Sequence, residues 1–382
     1  MIKLVVRRNQ FIMLLLCIFI FSACSKNRDN STLKEEVSDV KQEAITPTES
    51  TKEEVQDKTT STKKIDETEE LITPTESTNK EEDDNMNENQ NESEEIEVEE
   101  GATATISDEI PKKYFTKRTD HAGTIEHITY QTYDYFGEEA ELEKSAYVYL
   151  PYDYSVEKQY NVLYLMHGIG GNEKEWGMFD DTSRVKAMMD NLIYYGDIEP
   201  FIVVTPNGRS SADFANTNAD YNSFYVFGKE LRNDLIPYIE RTYSTYGEAD
   251  KEDYDLTKGR DHRAMAGLSM GGMQTINIGL CENLDIMSYF GAFSAAPTSY
   301  TASKIATILK DYPDEEIHYF YNICGTEDGI AFASASSAAK TLLDLTDKVT
   351  ESNFMWKEVP GAHDFNIWYL GFYHFAQIAF AE

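Results

Sequence analysis

Arg263-Ala264-Met265-Ala266-Gly267-Leu268-Ser269-Met270-Gly271-Gly272 decides how the rest of the chain reads. Residues 263–266 predict a short buried strand, and a helical pattern begins at Gly271-Gly272. Between them, Gly267-Leu268-Ser269-Met270-Gly271 is a G-x-S-x-G motif. Alone, the motif also describes a plain glycine-rich strand-to-helix turn. Set between a strand and a helix, it predicts a nucleophile elbow. Such a turn is strained, it lifts the serine hydroxyl above the sheet, and the flanking glycines remove side chains that would clash.

Outward from the elbow, the pattern is strands alternating with helices. Residues 124–135 and 142–150 alternate apolar and polar side chains and predict a leading β-hairpin. Short apolar runs at 162–166, 201–205, 264–266, 289–294, 318–323 and 354–359 predict buried parallel strands. Helical patterns fall near 182–195, 229–243, 272–280, 334–343 and 367–380. The expected class is therefore α/β: a mostly parallel sheet with helices on both faces and an antiparallel hairpin in front.

A serine hydroxyl needs a base to take its proton, and the base needs an acid to orient it. In strand–elbow–helix hydrolases the chain order is serine, acid, histidine. Downstream of Ser269 stand His318, His363 and His374. His318 opens a predicted strand and His374 lies on an aromatic helix face, both places for structural histidines. His363, in Pro360-Gly361-Ala362-His363-Asp364-Phe365, sits on a loop between the last strand and the last helix. Cys324-Gly325-Thr326-Glu327-Asp328-Gly329 follows the preceding strand and offers Asp328 as the acid, with Glu327 its neighbour and Asp311 and Asp314 more distant alternatives. Leu165-Met166-His167-Gly168-Ile169-Gly170-Gly171 ends an earlier strand in a glycine-rich turn. With the N–H of Met270, after the nucleophile, that of Ile169 would complete an oxyanion hole. No phosphate-loop or dinucleotide motif is present, and the chemistry calls for no metal or cofactor. Trp176 follows the oxyanion loop and Trp368 follows His363; each is placed either to wall the substrate pocket or to join the core.

The N-terminal third is of another kind. Lys3, Arg7 and Arg8 precede an apolar run at 11–21, which as a helix spans about 17 Å against roughly 30 Å of hydrocarbon. This describes a secretory signal rather than a membrane span. Ser22-Ala23-Cys24 closes the run and resembles a bacterial lipobox, although Phe21 stands where leucine is usual. That resemblance implies cleavage after residue 23, diacylation of Cys24 and a cell-surface protein held to the membrane by lipid. Of the chain's 47 aromatic residues three lie in the apolar run, none falls between Cys24 and Lys113, and 44 follow. Residues 24–110 therefore lack the means to build a core and are expected to be a disordered linker, in which Ile45-Thr46-Pro47-Thr48-Glu49-Ser50-Thr51 recurs at 72–78. One folded domain, 111–382, remains. The linker segment 25–110 carries 9 basic and 27 acidic side chains, and 111–382 carries 22 and 41. Neither offers the basic surface a nucleic-acid partner requires. Cys281 and Cys324 stand apart from one another and are expected as two buried thiols rather than a disulfide.

Taken together, His167-Gly168-Ile169-Gly170-Gly171, Gly267-Leu268-Ser269-Met270-Gly271-Gly272, Cys324-Gly325-Thr326-Glu327-Asp328 and Gly361-Ala362-His363-Asp364-Phe365-Asn366-Ile367-Trp368 resemble the feruloyl esterases of carbohydrate esterase family 1. The resemblance runs from about Gly123 to the C-terminus. It implies the α/β-hydrolase fold, with Ser269 as nucleophile, His363 as base and Asp328 as acid. It also implies an ester substrate on plant cell-wall polysaccharide, feruloylated arabinoxylan first. Acetylated sugars, other small esters and siderophore esters are the alternatives within enzymes. A non-catalytic sugar-binding module of the same fold is the alternative outside them.

Overall fold

The computed structural model describes residues 107–381 except 248, 250 and 251. The expected signal peptide, Cys24 and the expected linker up to residue 106, with its repeat, lie outside the described residues.

Eight strands form one sheet: β1 (Thr124–Tyr133), β2 (Glu141–Leu150), β3 (Val162–Met166), β4 (Ile202–Pro206), β5 (Arg263–Leu268), β6 (Tyr289–Phe293), β7 (Tyr319–Gly325) and β8 (Phe354–Val359). Their order is β1-β2-β4-β3-β5-β6-β7-β8. β1 with β2 and β2 with β4 are antiparallel, and every later pairing is parallel. β3, β4 and β5 are buried along their whole length, which is why they read as unbroken apolar runs rather than as alternation. The helices are α1 (Arg184–Tyr195), α2 (Phe227–Glu230), α3 (Ile236–Thr242), α4 (Met270–Gln274), α5 (Ala302–Ile308), α6 (Phe332–Leu342) and α7 (Phe365–Ile378). Alternate residues of the central strands feed two cores. Tyr164, Met166 and Met265 join one with the apolar residues of α3 and α5; Leu163, Leu165, Ala264 and Ala266 join the other with α1 and α7. Helices thus cover both faces. Among the described residues no helix is long and apolar enough to cross a membrane.

Two helices depart from the expected form. The single helix expected over 229–243 is α2, a π-helical turn at Leu231–Leu235, and α3. Pro237 lacks the N–H for the carbonyl four residues back and its ring crowds that carbonyl; the wider turn before it relieves both. The helix after the elbow starts at Met270 and widens into a π-helix at Thr275–Leu280. There the Thr275 hydroxyl donates to the Gly271 carbonyl at 2.9 Å, competing with the backbone for the same acceptor. Helix α5 lies outside the expected helices, although Thr301 caps it by accepting from the Lys304 N–H.

Packing also begins before Pro111. The Ser107 carbonyl accepts from His374 Nε2 at 2.7 Å and Asp108 pairs with Lys357 at 2.5 Å. The segment expected to be linker up to residue 110 therefore contacts the domain over its last residues. Cys281 and Cys324 are both free and buried.

Candidate active site

Because β3 and β5–β8 are parallel, their C-terminal ends open on one edge of the sheet, where loops from sequence-distant segments meet. Ser269 follows β5 directly and has φ 51° and ψ −112°, a conformation costly for any residue with a Cβ. The turn closes because neighbours are small: a Cβ on Gly267 would lie 2.6 Å from the Gly271 carbonyl carbon, and one on Gly271 would lie 2.6 Å from the Met166 carbonyl oxygen. The Ser269 N–H donates to the Phe293 carbonyl at 3.0 Å, and the Ala296 N–H donates to the Ser269 carbonyl at 2.9 Å. The elbow is pinned from both sides, and Ser269 is 8% exposed.

The expected acid and base converge on this hydroxyl. His363 Nε2 lies 3.0 Å from Ser269 Oγ, and His363 Nδ1 lies 2.7 Å from Asp328 Oδ2. The β7 and β8 loops are stitched together, with the Thr326 N–H donating to the Val359 carbonyl at 2.8 Å and the Glu327 N–H to the Gly361 carbonyl at 2.9 Å. Asp328 is buried, and its Oδ1 accepts from the Ile330 and Ala331 N–H groups at 2.9 and 2.8 Å. Burial pushes this carboxyl up, but the Ala331 N–H, His363 and the Ile330 N–H together outweigh it and hold the group below the ordinary 3.8. Asp328 is therefore an anion able to fix His363 with Nδ1 protonated and Nε2 facing Ser269. Glu327, Asp311 and Asp314 are exposed. Of the other histidines, His374 is buried between Tyr321 Oη and the Ser107 carbonyl, and His318 faces Asp261.

The loop after β3 supplies backbone donors. His167 is buried, and burial lowers it from 6.5 to about 3. It is neutral, with Nδ1 donating to the Gly168 carbonyl at 2.7 Å and Nε2 accepting from the Gly208 N–H at 2.9 Å. The Gly171 N–H donates to that same Gly168 carbonyl at 3.1 Å. A trans peptide points its C=O and N–H in opposite directions, so holding the Gly168 carbonyl turns the Ile169 N–H the other way. Among the described residues neither the Ile169 nor the Met270 N–H has a hydrogen-bond partner. Both are available to a developing oxyanion.

Two residues that the sequence motifs do not mark hold this loop. Arg209 is fully buried; it donates to the Gly171 carbonyl at 2.8 Å and to the Ile169 carbonyl, and lies over the Phe224 ring. Glu175 accepts the Gly168 N–H at 2.6 Å, and its partial burial raises its carboxyl despite that bond and Arg209. The available signal for Arg209 was its position just past β4, on the same edge of the sheet. Trp176 is corrected as a pocket wall. It is 1% exposed, its Nε1–H donates to the Met166 carbonyl at 3.0 Å, and it packs edge-on to Phe293 and Phe365. It supports the end of β3 from the core side. Trp368 is also largely buried and stands edge-on to His363, 5.1 Å between ring centres. Among the described residues no group of three or more metal-ligating side chains comes together.

Comparison with known proteins agrees with this architecture. The Esterase family model, described as "Putative esterase", matches residues 138–369. The chain is 34% identical over 230 residues to endo-1,4-beta-xylanase Y of Acetivibrio thermocellus, covering 57% of this chain and 20% of that protein. It is 34% identical over 228 residues to an endo-1,4-beta-xylanase/feruloyl esterase of Xylanibacter ruminicola, covering 58% and 28%. The chain thus spans about a fifth to a quarter of the length of these relatives. Among solved structures, a mutant feruloyl esterase module from Clostridium thermocellum complexed with sinapinate superposes with a TM-score of 0.59 at 29% identity, covering 72% of this chain and 93% of that one. A CE1 ferulic acid esterase from Anaeromyces mucronatus in complex with ferulic acid gives 0.58 at 27%, covering 72% and 97%. With its parallel sheet, elbow and family match, the chain belongs to the Esterase family and is a carboxylic ester hydrolase of the α/β-hydrolase fold.

Proposed function

We propose that this protein is a secreted, lipid-anchored feruloyl esterase that removes hydroxycinnamoyl groups from plant cell-wall polysaccharide, feruloylated arabinoxylan first. The observation that carries the catalytic part is the unbroken relay from Asp328 to His363 at 2.7 Å and from His363 to Ser269 at 3.0 Å. His363 takes the Ser269 proton as Oγ attacks the ester carbonyl. The tetrahedral oxyanion is held by the Ile169 and Met270 N–H groups, each such donor being worth about 3–4 kcal/mol of barrier. His363 then protonates the departing sugar oxygen, and water repeats the sequence on the acyl-enzyme.

Support for an aromatic acyl group comes from the relatives named above and from the rim of the site. Ile169 is 49% exposed on the oxyanion loop and Ile330 is 59% exposed beside Asp328. These place apolar surface on two of the loops that frame Ser269. The sequence Ser22-Ala23-Cys24 after a short apolar run supports the anchor. The substrate reading is tested by comparing kcat/KM for methyl ferulate and for a small acetyl ester. A preference for methyl ferulate of tenfold or more, about 1.4 kcal/mol of barrier, is expected; a preference for acetate overturns the acyl assignment.

A further inference from the structure

At the opposite end of the sheet from Ser269 lies a groove of about 990 Å³, formed where β6, β7 and β8 begin and α7 ends. Its floor includes Tyr289 and Tyr319, direct neighbours in register on adjacent parallel strands, with Met355 of β8 on the same side. Both tyrosine rings are part-buried, and burial raises both phenols. Among the described residues neither phenol hydroxyl has a hydrogen-bond partner. Gln377 of α7 donates from Nε2 to the Tyr373 carbonyl at 2.8 Å, which leaves its Oε1 as an acceptor in the groove.

These features select a class of ligand. Among the described residues no lysine or arginine lines the groove, whereas Asp197 and Glu316 do, so a phosphorylated or carboxylated ligand would meet charge of its own sign. Tyr289 packs edge-on against His318 and Phe380, so the Tyr319 ring is the aromatic surface offered to a ligand. With a free hydroxyl at its tip, it suits a flat molecule that is apolar on its faces and hydroxylated at its edge, which describes a pyranose ring. The volume is at the upper end of ligand clefts, roughly 300–1,000 Å³, and holds more than one such ring. We propose that this groove binds a neutral stretch of β-linked xylo-oligosaccharide, as a second polysaccharide site separate from the catalytic one. The inference rests on the polysaccharide substrate proposed above.

Position explains what such a site would do. Tyr319 opens β7 and Asp328 lies just past its end, so the two are roughly 20 Å apart at about 3.3 Å per residue. A sugar bound at Tyr319 therefore does not enter the active site. It holds the enzyme on the polymer and raises the local concentration of esters on the same or a neighbouring chain. Small soluble esters gain nothing from it.

The test uses the full chain with xylohexaose as the probe, followed by titration calorimetry. Wild type is expected to bind, and Tyr319→Ala to weaken binding by at least about tenfold. Gln377→Trp, which fills the groove from α7 without disturbing the sheet, should do the same and serves where Tyr319→Ala melts early. Both variants should hydrolyse methyl ferulate within about twofold of wild type, yet release less ferulate from insoluble arabinoxylan. Ser269→Ala should bind xylohexaose as wild type does. The proposal is overturned if wild type does not bind xylohexaose, if neither groove variant weakens binding, or if ferulic acid alone occupies the groove. Xylohexaose binding without methyl ferulate hydrolysis would instead overturn the esterase assignment and leave the groove standing.

Discussion

Ser269, His363 and Asp328 act on one another at hydrogen-bond distance, so their substitutions are not additive. Ser269→Ala and His363→Ala should each lower kcat for methyl ferulate by on the order of 10⁶, and the double variant by little more. Asp328→Asn should keep the fold and cost roughly 10⁴, because the amide favours the wrong imidazole tautomer. Glu327→Gln, at an exposed position, should cost less than roughly tenfold; a crippled Glu327→Gln beside a mild Asp328→Asn would reassign the acid. A second consequence at this scale concerns pH. Burial lowers His374 from 6.5 to about 4 and His167 from 6.5 to about 3. Both are neutral in the fold and more basic once unfolded, so the unfolded chain binds more protons as acid is added. Their stabilising contribution is complete above about pH 6.5 and shrinks as pH falls toward 4 and 3. Thermal melting between pH 7 and 4 should show the loss, and His374→Gln should flatten it. An unchanged slope in that variant would remove His374 from the account.

The loop after β3 is an element whose geometry is imposed by its neighbours. Its carbonyls at Gly168, Ile169 and Gly171 are bound by His167 and by Arg209, and Arg209 arrives from the loop just past the end of β4. Lys144 donates to the carbonyls of Asn207 and Arg209 at 2.9 and 2.8 Å and pairs with Glu230 at 2.7 Å, all within the interior. Strand β2, helix α2 and the β4 loop therefore stand behind the proposed oxyanion hole. Arg209→Met should release the loop and lower kcat by up to about 10²–10³, the worth of one well-placed donor. KM for methyl ferulate should move little, since the lost interaction is made only in the transition state. A variant with unchanged kcat and an intact melt would show that the glycine-rich turn holds its shape alone.

For the whole molecule, the joint between the expected linker and the domain is open to measurement. Ser107 covers the buried His374 ring by accepting its Nε2–H. A chain starting at Pro111 should be less stable than one starting at Ser107 by about 1–3 kcal/mol, the cost of leaving a buried donor unpaired. For a domain of this size that lowers Tm by several degrees. Equal melting temperatures would place the boundary at Pro111 after all. If Cys24 carries the proposed anchor, labelled fatty acid should be incorporated by an expressing bacterium into wild type and not into Cys24→Ala. Equal release of both into the medium would overturn the lipid anchor.

Local sequence determined the strands, because alternation and unbroken apolar runs reflect nearest neighbours and burial. It determined the elbow as well, since glycine, serine and glycine at fixed spacing answer a steric demand within one turn. The order of Ser269, Asp328 and His363 along the chain carried the candidate triad. What lay beyond local pattern was settled by packing. Glu327 and Asp328 are adjacent and chemically alike, yet only Asp328 turns inward to meet the Ile330 and Ala331 N–H groups and His363. Trp176 follows the oxyanion loop but is drawn into the core, where its indole N–H finds the Met166 carbonyl. Arg209 carries no motif, and its role exists only because β4 lies beside β3 in the sheet. Strand order is a property of long-range pairing, and no window of sequence contains both partners.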